Sequence, residues 1–189
     1  MGKQLSEMTL EELYELFPII LTEHKDCWKE WYQEEVQRIQ GFLQIPSMRV
    51  HHIGSTSISG IWAKPTVDIL LEIPKQASME EVKEILIANG YLCMHEEADR
   101  KSFNRGYTVN GFAEKVFHLH MRYQGDNDEL YFRDYMNEHP ELAEEYEKMK
   151  LSLWKQYEHD RDGYTDAKGA FIRKWTKCAK QEYKERYSS

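Results

Sequence analysis

Long apolar segments are missing from this sequence, cysteines are few, and both features limit what the chain can be. Its 189 residues include three cysteines, Cys27, Cys93 and Cys178, spaced far apart. Such an odd, scattered set is typical neither of a disulfide framework nor of a zinc cluster, and it favours a reducing, cytoplasmic location. No apolar stretch approaches the ~20 residues of a membrane helix, and residues 1–10 lack the apolar core of a signal peptide. We therefore expect no membrane partner.

An excess of positive charge is missing too. Lysine and arginine total 25 against 33 aspartates and glutamates, which gives a net charge of -8. Without a basic stripe, a long nucleic acid is not an expected partner, whereas a small nucleotide or phosphorylated molecule in a local basic pocket is compatible with this composition. Apolar residues make up 41% of the chain. This content predicts one folded domain over residues 1–189, as a monomer or a homodimer.

The order of the predicted elements indicates an α+β domain. Apolar spacing predicts helices over 9–17 (capped by Thr9), 25–42 and 78–89, strands over 48–53, 65–73 and 91–95, and a short helix over 57–63. Two strands, 103–109 and 116–123, flank a predicted hairpin loop, "NGFAEK". From about residue 134 to 185 the pattern is helical, with Pro140 starting one helix and Thr165 capping the last. Together they predict a mixed sheet flanked by helices and closed by a C-terminal helical hairpin.

Side-chain alternation singles out an aspartate on the 65–73 strand. Val67, Ile69 and Leu71 share one apolar face, and Asp68 points the other way, close to the preceding Gly-Ser turn. Glu72 lies ~13 Å further along the strand, so it cannot share a metal ion with Asp68, and we expect it to be a strand-end surface charge. The alternative for Asp68 itself is a carboxylate that caps a neighbouring backbone amide.

Two histidines stand side by side on the 116–123 strand. His118 and His120 share a face with a separation of ~6.6 Å along the strand, which suits metal ligation or paired contacts to a phosphate. The alternative is an ordinary polar face turned to solvent.

A turn rich in small residues precedes the aspartate strand. Gly54, Ser55 and Thr56 offer close backbone approach, two hydroxyls and amides at the start of a helix, a combination that cradles phosphate. Lys64 and Arg105 are cations that either join such a site or remain solvated surface charges. Lys168 is expected in the first turn of the last helix, where the helix dipole opposes it. We therefore expect Lys168 to pair with an acid or to face the ligand pocket.

Several separated segments together resemble a known family. "HHIGSTSISGIWAKPTVDILLEI", "FHLHM", "YFRDYMNEHPELAEEYEKMK" and "DRDGYTDAKGAFI" resemble the GrpB family of the nucleotidyltransferase superfamily, over residues 16 to 172. The resemblance implies a polymerase-beta-like nucleotidyltransferase fold. Ile53-Gly54-Ser55 matches the superfamily's Gly-Ser element and Asp68 its first acid. Leu70 stands where a second acid is expected, and His118 and His120 where a later acid is expected.

That resemblance implies transfer of a nucleotidyl group from ATP or another NTP to a small acceptor. Asp68, His118 and His120 would be catalytic and would bind a divalent ion (Mg, Mn or Zn), and the phosphates would contact Gly54, Ser55, Thr56, Lys64, Arg105 and Lys168. One aspartate supplies too little anionic oxygen for a pair of Mg²⁺ ions. Two alternatives therefore stay open: a binding or regulatory module without turnover, and a metal-dependent enzyme that uses the Asp/His/His set for other chemistry.

Overall fold

The computed structural model describes residues 3–184, 186 and 187. The helices are α1 (Leu10–Leu16), α2 (Cys27–Phe42), α3 (Met79–Ala88), α4 (Asp128–Glu138), α5 (Pro140–Gln156) and α6 (Arg161–Tyr183). The strands are β1 (Arg49–Ile53), β2 (Val67–Ile73), β3 (Leu92–Glu96), β4 (Arg100–Thr108) and β5 (Gly111–Tyr123). The predicted α+β class, a mixed sheet flanked by helices, is confirmed. Within the described residues, no helix combines the length and apolarity that crossing a membrane requires.

A parallel pair of strands forms the centre of the sheet. The strand order is β1-β2-β5-β4-β3, and β2 runs parallel to β5 while the other neighbours are antiparallel. In this register Asp68 lies opposite His118 and Leu70 lies opposite His120. Because paired residues of adjacent strands project to the same face, the aspartate and both histidines share one face of the sheet.

Both faces of β2 are covered. Val67, Ile69 and Leu71 are fully buried in a core that includes Trp28 of α2, as the alternation predicted. On the other face Leu70 is equally buried, against Ile53 of β1 and Leu130 of α4. The residue at the expected second acid position therefore belongs to an apolar contact between the sheet and the C-terminal helices.

The prediction that Glu72 is a surface charge is wrong. Its side chain is fully buried, and its carboxylate accepts hydrogen bonds from the Gly125 amide (3.0 Å) and the Asn127 side chain (3.1 Å), with His51 Nε2 at 2.9 Å. Burial alone would raise the pKa of this carboxyl, but these three contacts together lower it. Alternation correctly placed Glu72 opposite the apolar face, but it gave no sign that the start of α4 covers that end of the strand.

Two boundaries in the sheet region differ from the prediction. In place of a helix over 57–63, the chain forms a single 3₁₀ turn, Ser55–Ser57. The predicted "NGFAEK" loop is largely strand, because β5 already begins at Gly111, and the hairpin turn consists of Val109 and Asn110. Within this hairpin Tyr107 lies beside His118, and the two rings stack with centroids 5.9 Å apart.

The C-terminal region is larger than the predicted hairpin. It contains three helices, the first starting at Asp128, and its predicted limit, residue 185, lies outside the described residues. Thr165 is not the N-cap of the last helix: α6 begins at Arg161, and the Asp160 side chain caps it by accepting from the Gly163 amide at 2.9 Å. Lys168 therefore lies beyond the first turn, and the expected conflict with the helix dipole does not arise.

Candidate functional site

Asp68 is the centre of a polar cluster on the face shared by β2 and β5. His118 Nδ1 lies 3.2 Å and His120 Nε2 lies 3.9 Å from Asp68 Oδ1. His118 Nε2 is 2.8 Å from the Tyr107 hydroxyl, which accepts a hydrogen bond from Arg161 at 2.6 Å. Because arginine only donates, the Tyr107 hydroxyl is free to donate to His118 Nε2, and the ring hydrogen is then on Nδ1, directed at Asp68. Arg161, Tyr107, His118 and Asp68 form one continuous hydrogen-bonded chain.

This chain sets the charges of its members. Burial alone would raise the pKa of the Asp68 carboxyl, but the hydrogen bond from His118 and the nearby His120 ring lower it far below its usual range. Burial lowers the pKa of His118, and the neighbouring Asp68 offsets only part of that effect. Near neutral pH, Asp68 is therefore an ionised carboxylate next to a neutral imidazole.

Gly54 brings the Gly-Ser turn directly against Asp68. Its φ is +71°, a left-handed conformation that glycine adopts readily, and a Cβ at this position would lie 2.2 Å from Asp68 Oδ2. Any side chain here would displace either the turn or the carboxylate. The glycine thus permits the close approach of β1, the turn and β2 on which the cluster depends.

A cavity of about 500 Å³ lies above Asp68. Seven residues predicted from the sequence line it: Gly54, Ser55, Lys64, Asp68, His118, His120 and Lys168. Lys168 lines this cavity and does not pair with an acid in the described structure, and its contact with a ligand stays a prediction. The C-terminal helices complete the wall with residues that the sequence reasoning missed, chiefly Lys150, Arg161 and Tyr164.

Two predicted phosphate contacts are not brought to this cavity. Thr56 is buried beneath the turn, with its hydroxyl 2.9 Å from His52 Nε2. Arg105 lies on the opposite face of the sheet, where it donates to Glu35 of α2 at 2.6 Å and packs over Phe117. The three-residue turn Ser55–Ser57 is also too short to present the row of free amides expected at the start of a helix.

Two of the missed residues, Lys150 and Tyr164, follow a helical spacing in the sequence. Ala143, Tyr146 and Lys150 recur at intervals of three and four, so Lys150 continues the buried stripe of α5. Tyr164 and Lys168 stand four apart on α6 in the same way. A lysine in register with a buried stripe indicates an inward-facing cation, and this signal was available in the sequence.

Three lysines of the cavity contact aromatic rings instead of acids. The Lys168 Nζ lies 4.3 Å and the Lys64 Nζ 5.6 Å from the centroid of the Tyr164 ring. The Lys150 Nζ lies 4.8 Å from the Tyr146 ring centroid and donates to the Trp62 carbonyl. Among residues 3–184, 186 and 187, none of these three ammonium groups has a carboxylate within ion-pair distance, in contrast to Lys83, Lys101 and Lys115 elsewhere.

The uncompensated charge shows in the acidity of the lysines. Burial, followed by the repulsion of nearby cations, lowers the pKa of Lys64 and Lys150 to about 7. Burial lowers the pKa of Lys168 to about 8, although Asp68 favours its charged form. The Tyr164 hydroxyl is buried and has no hydrogen-bond partner in the described structure. Glu129 and Asp162 also line the cavity, but its five cationic side chains outnumber its three carboxylates. The cationic residues are Lys64, Arg122, Lys150, Arg161 and Lys168.

The same residues fit a pair of magnesium ions poorly. Mg²⁺ prefers several hard, anionic oxygens. Among the described residues, Asp68 is the one carboxylate in the polar cluster that it forms with His118 and His120. Both ring nitrogens of His118 already have partners. In the described part of the chain, no group of three or more His, Cys, Asp and Glu side chains has the arrangement of a metal site. Metal binding by Asp68, His118 and His120 stays a prediction.

The contact between Gly54 and Asp68 is testable by comparing two glycines. Gly54→Ala and Gly60→Ala both place a side chain at positive φ (+71° and +76°), but only Gly54 has atoms within 4 Å of the added Cβ. We expect Gly60→Ala to lower the free energy of unfolding by about 1 kcal/mol, and Gly54→Ala by at least about 1 kcal/mol more. Urea unfolding measures both, and equal losses would show that the close approach to Asp68 carries no strain.

Comparisons with known proteins agree with the resemblance seen in the motifs. The family model described as "GrpB protein" matches residues 18–178. The UPF0157 protein YqkA of Bacillus subtilis is 33% identical over 94% of this chain, which spans only 52% of that relative. The glutamate-rich protein GrpB of Alkalihalophilus pseudofirmus is 32% identical over 82% of this chain and 91% of its own length.

A solved structure agrees in fold as well. The crystal structure of the conserved protein GrpB from Enterococcus faecalis aligns with 30% identity and a TM-score of 0.74, over 87% of this chain and 99% of that one. The family model alone covers most of the strands and helices that form the Asp68 cavity. The chain belongs to the GrpB family.

Proposed function

We propose that this protein binds a small phosphorylated ligand, such as a nucleotide, in the cavity above Asp68. Phosphate oxygens accept hydrogen bonds from Lys64, Lys168 and the Tyr164 hydroxyl, and Lys150 adds charge from below. The observation that carries the proposal is the set of three cavity lysines without carboxylate partners in the described structure. A bound phosphate supplies the negative charge that these groups lack.

Electrostatics explains why such a site is effective. The lysines are partly or fully shielded from water, so their mutual repulsion is weakly screened, and an anion placed among them relieves it. Charge-assisted hydrogen bonds from ammonium groups to phosphate are roughly twice as strong as neutral ones. A volume of about 500 Å³ lies within the range of small-molecule sites. Together with the net charge of -8, this supports a small ligand over a long nucleic acid.

Nucleotidyl transfer, which the family resemblance implies, is the second candidate. The ionised Asp68 borders the cavity and belongs to an ordered hydrogen-bonded chain, as an acid-base group would. However, a carboxyl with a strongly lowered pKa is a weak proton acceptor, and Leu70 contributes no second carboxylate. Phosphate binding therefore has more support than transfer does.

Replacing the cavity lysines tests the proposed binding site. Lys64→Met and Lys168→Met keep most of the alkyl stem but remove the charge, and we expect each to weaken binding of ADP at pH 7 by about tenfold or more. Isothermal titration calorimetry measures the affinity. The matched control is Lys148→Met on the exposed side of α5, where Lys148 pairs with Glu144. Wild-type affinity in both cavity variants would rule out this site.

Asp68→Asn separates a lysine site from a metal-bridged site. Because Asp68 repels phosphate at a cationic site, we expect its neutralisation to tighten ADP binding about fivefold, with equal affinity in EDTA and in Mg²⁺. A metal held by Asp68 would give the opposite signs: weaker binding by the variant and weaker binding in EDTA. In parallel, label transfer from ATP to an acceptor pool by the wild type, lost in Asp68→Asn, would support the second candidate.

A further inference from the structure

A second recess lies on the far side of His118. It is a groove of about 510 Å³ between α1 and the edge formed by β3 and β4, called the outer groove below. Its apolar lining includes Leu10, Leu13, Phe17, Leu92 and Met94. Nothing in the proposed phosphate site uses these side chains.

The lining of the outer groove is unusually exposed for its composition. Leu10, Leu92 and Met94 are 61%, 45% and 58% exposed, and α1 contains no buried residue at all. Large apolar side chains gathered at one concave place favour an apolar occupant, because covering them releases water from apolar surface.

The outer groove adjoins the Asp68 cavity. His118, Arg161 and Asp162 line both recesses. The groove wall is also tied to this boundary, since the Tyr14 hydroxyl of α1 donates to Asp162 at 2.8 Å and the Phe17 ring lies 4.7 Å from that of Tyr107. A ligand that extends from the cavity across this shared boundary therefore meets the apolar lining of the groove.

The two recesses differ sharply in chemistry. The cavity contains the three lysines without carboxylate partners. The charged residues of the outer groove, in contrast, lie only at its boundary with the cavity, and the rest of its lining is apolar or uncharged, including Ser6 and Asn104. We propose that the outer groove holds the apolar end of the same ligand, which is then a phosphate ester of an alkyl or aromatic group. This inference rests on the proposed phosphate site and names the class of ligand it takes.

Alkyl phosphates of increasing length test the inference by calorimetry. Methyl, butyl and hexyl phosphate carry the same headgroup, so differences in affinity report on the tail. Each buried methylene strengthens binding by up to about fourfold, and we expect butyl phosphate to bind at least about tenfold more tightly than methyl phosphate. Leu92→Gln and Met94→Gln should remove most of this gain and leave methyl phosphate unchanged. Ile87→Gln, at an exposed residue of α3 outside the groove, is the matched control.

The outcomes distinguish this inference from the proposed function. If methyl phosphate binds but longer tails give no gain, or if the gain survives in both groove variants, the outer groove is not part of the ligand site. If neither methyl phosphate nor longer esters bind, the phosphate site itself is wrong and the inference is overturned with it. A stable dimer in sedimentation velocity that Leu92→Gln dissociates would assign the groove to a second copy of the chain and overturn the proposal.

Discussion

The parallel pairing of β2 with β5 is the constraint on which the rest of the site depends. It sets Asp68 opposite His118, and Gly54 brings the preceding turn against the same carboxylate. A shift of one residue would turn every side chain of β2 to the opposite face and separate Asp68 from its partners. The buried contacts of Leu70 and Glu72 with the C-terminal helices hold the register from the second face.

The C-terminal helices convert this polar cluster into a cationic cavity. β2 and β5 supply the anion and the imidazoles, while Lys150 comes from α5 and Lys168 from α6. Because aromatic rings and not carboxylates hold these lysines, no ion pair offsets their charge. The site is therefore prepared for an anion, at the cost of keeping several ammonium groups poorly solvated. Burial of unpaired charge opposes folding, so its presence in one cavity argues for a functional role.

Local patterns predicted the strands well and the coverage of the sheet poorly. Alternation correctly placed Asp68 opposite the apolar face of its strand, and His118 with His120 on one face of theirs, because strand periodicity depends on neighbouring residues alone. The burial of Glu72 depends on how the C-terminal helices pack on the sheet, and the position of Arg105 on the far face depends on the pairing of β4 with β5. Both are properties of the tertiary structure. Thr165 was misread as a cap because Asp160, five residues earlier, competes for the same role and offers the stronger acceptor.

Our central claim is that the cavity lysines, whose pKa values are lowered in the free protein, bind a phosphate. In the free protein these pKa values are about 7 for Lys64 and Lys150 and about 8 for Lys168. A bound anion stabilises the charged form of each lysine, so binding must raise these pKa values and the protein must take up protons. The most direct test is calorimetry of ADP binding at pH 8 in buffers of different ionisation enthalpy, since the phosphates of ADP are already ionised there. We predict a net uptake of protons that decreases in Lys64→Met and Lys168→Met. Binding without proton uptake would contradict the claim.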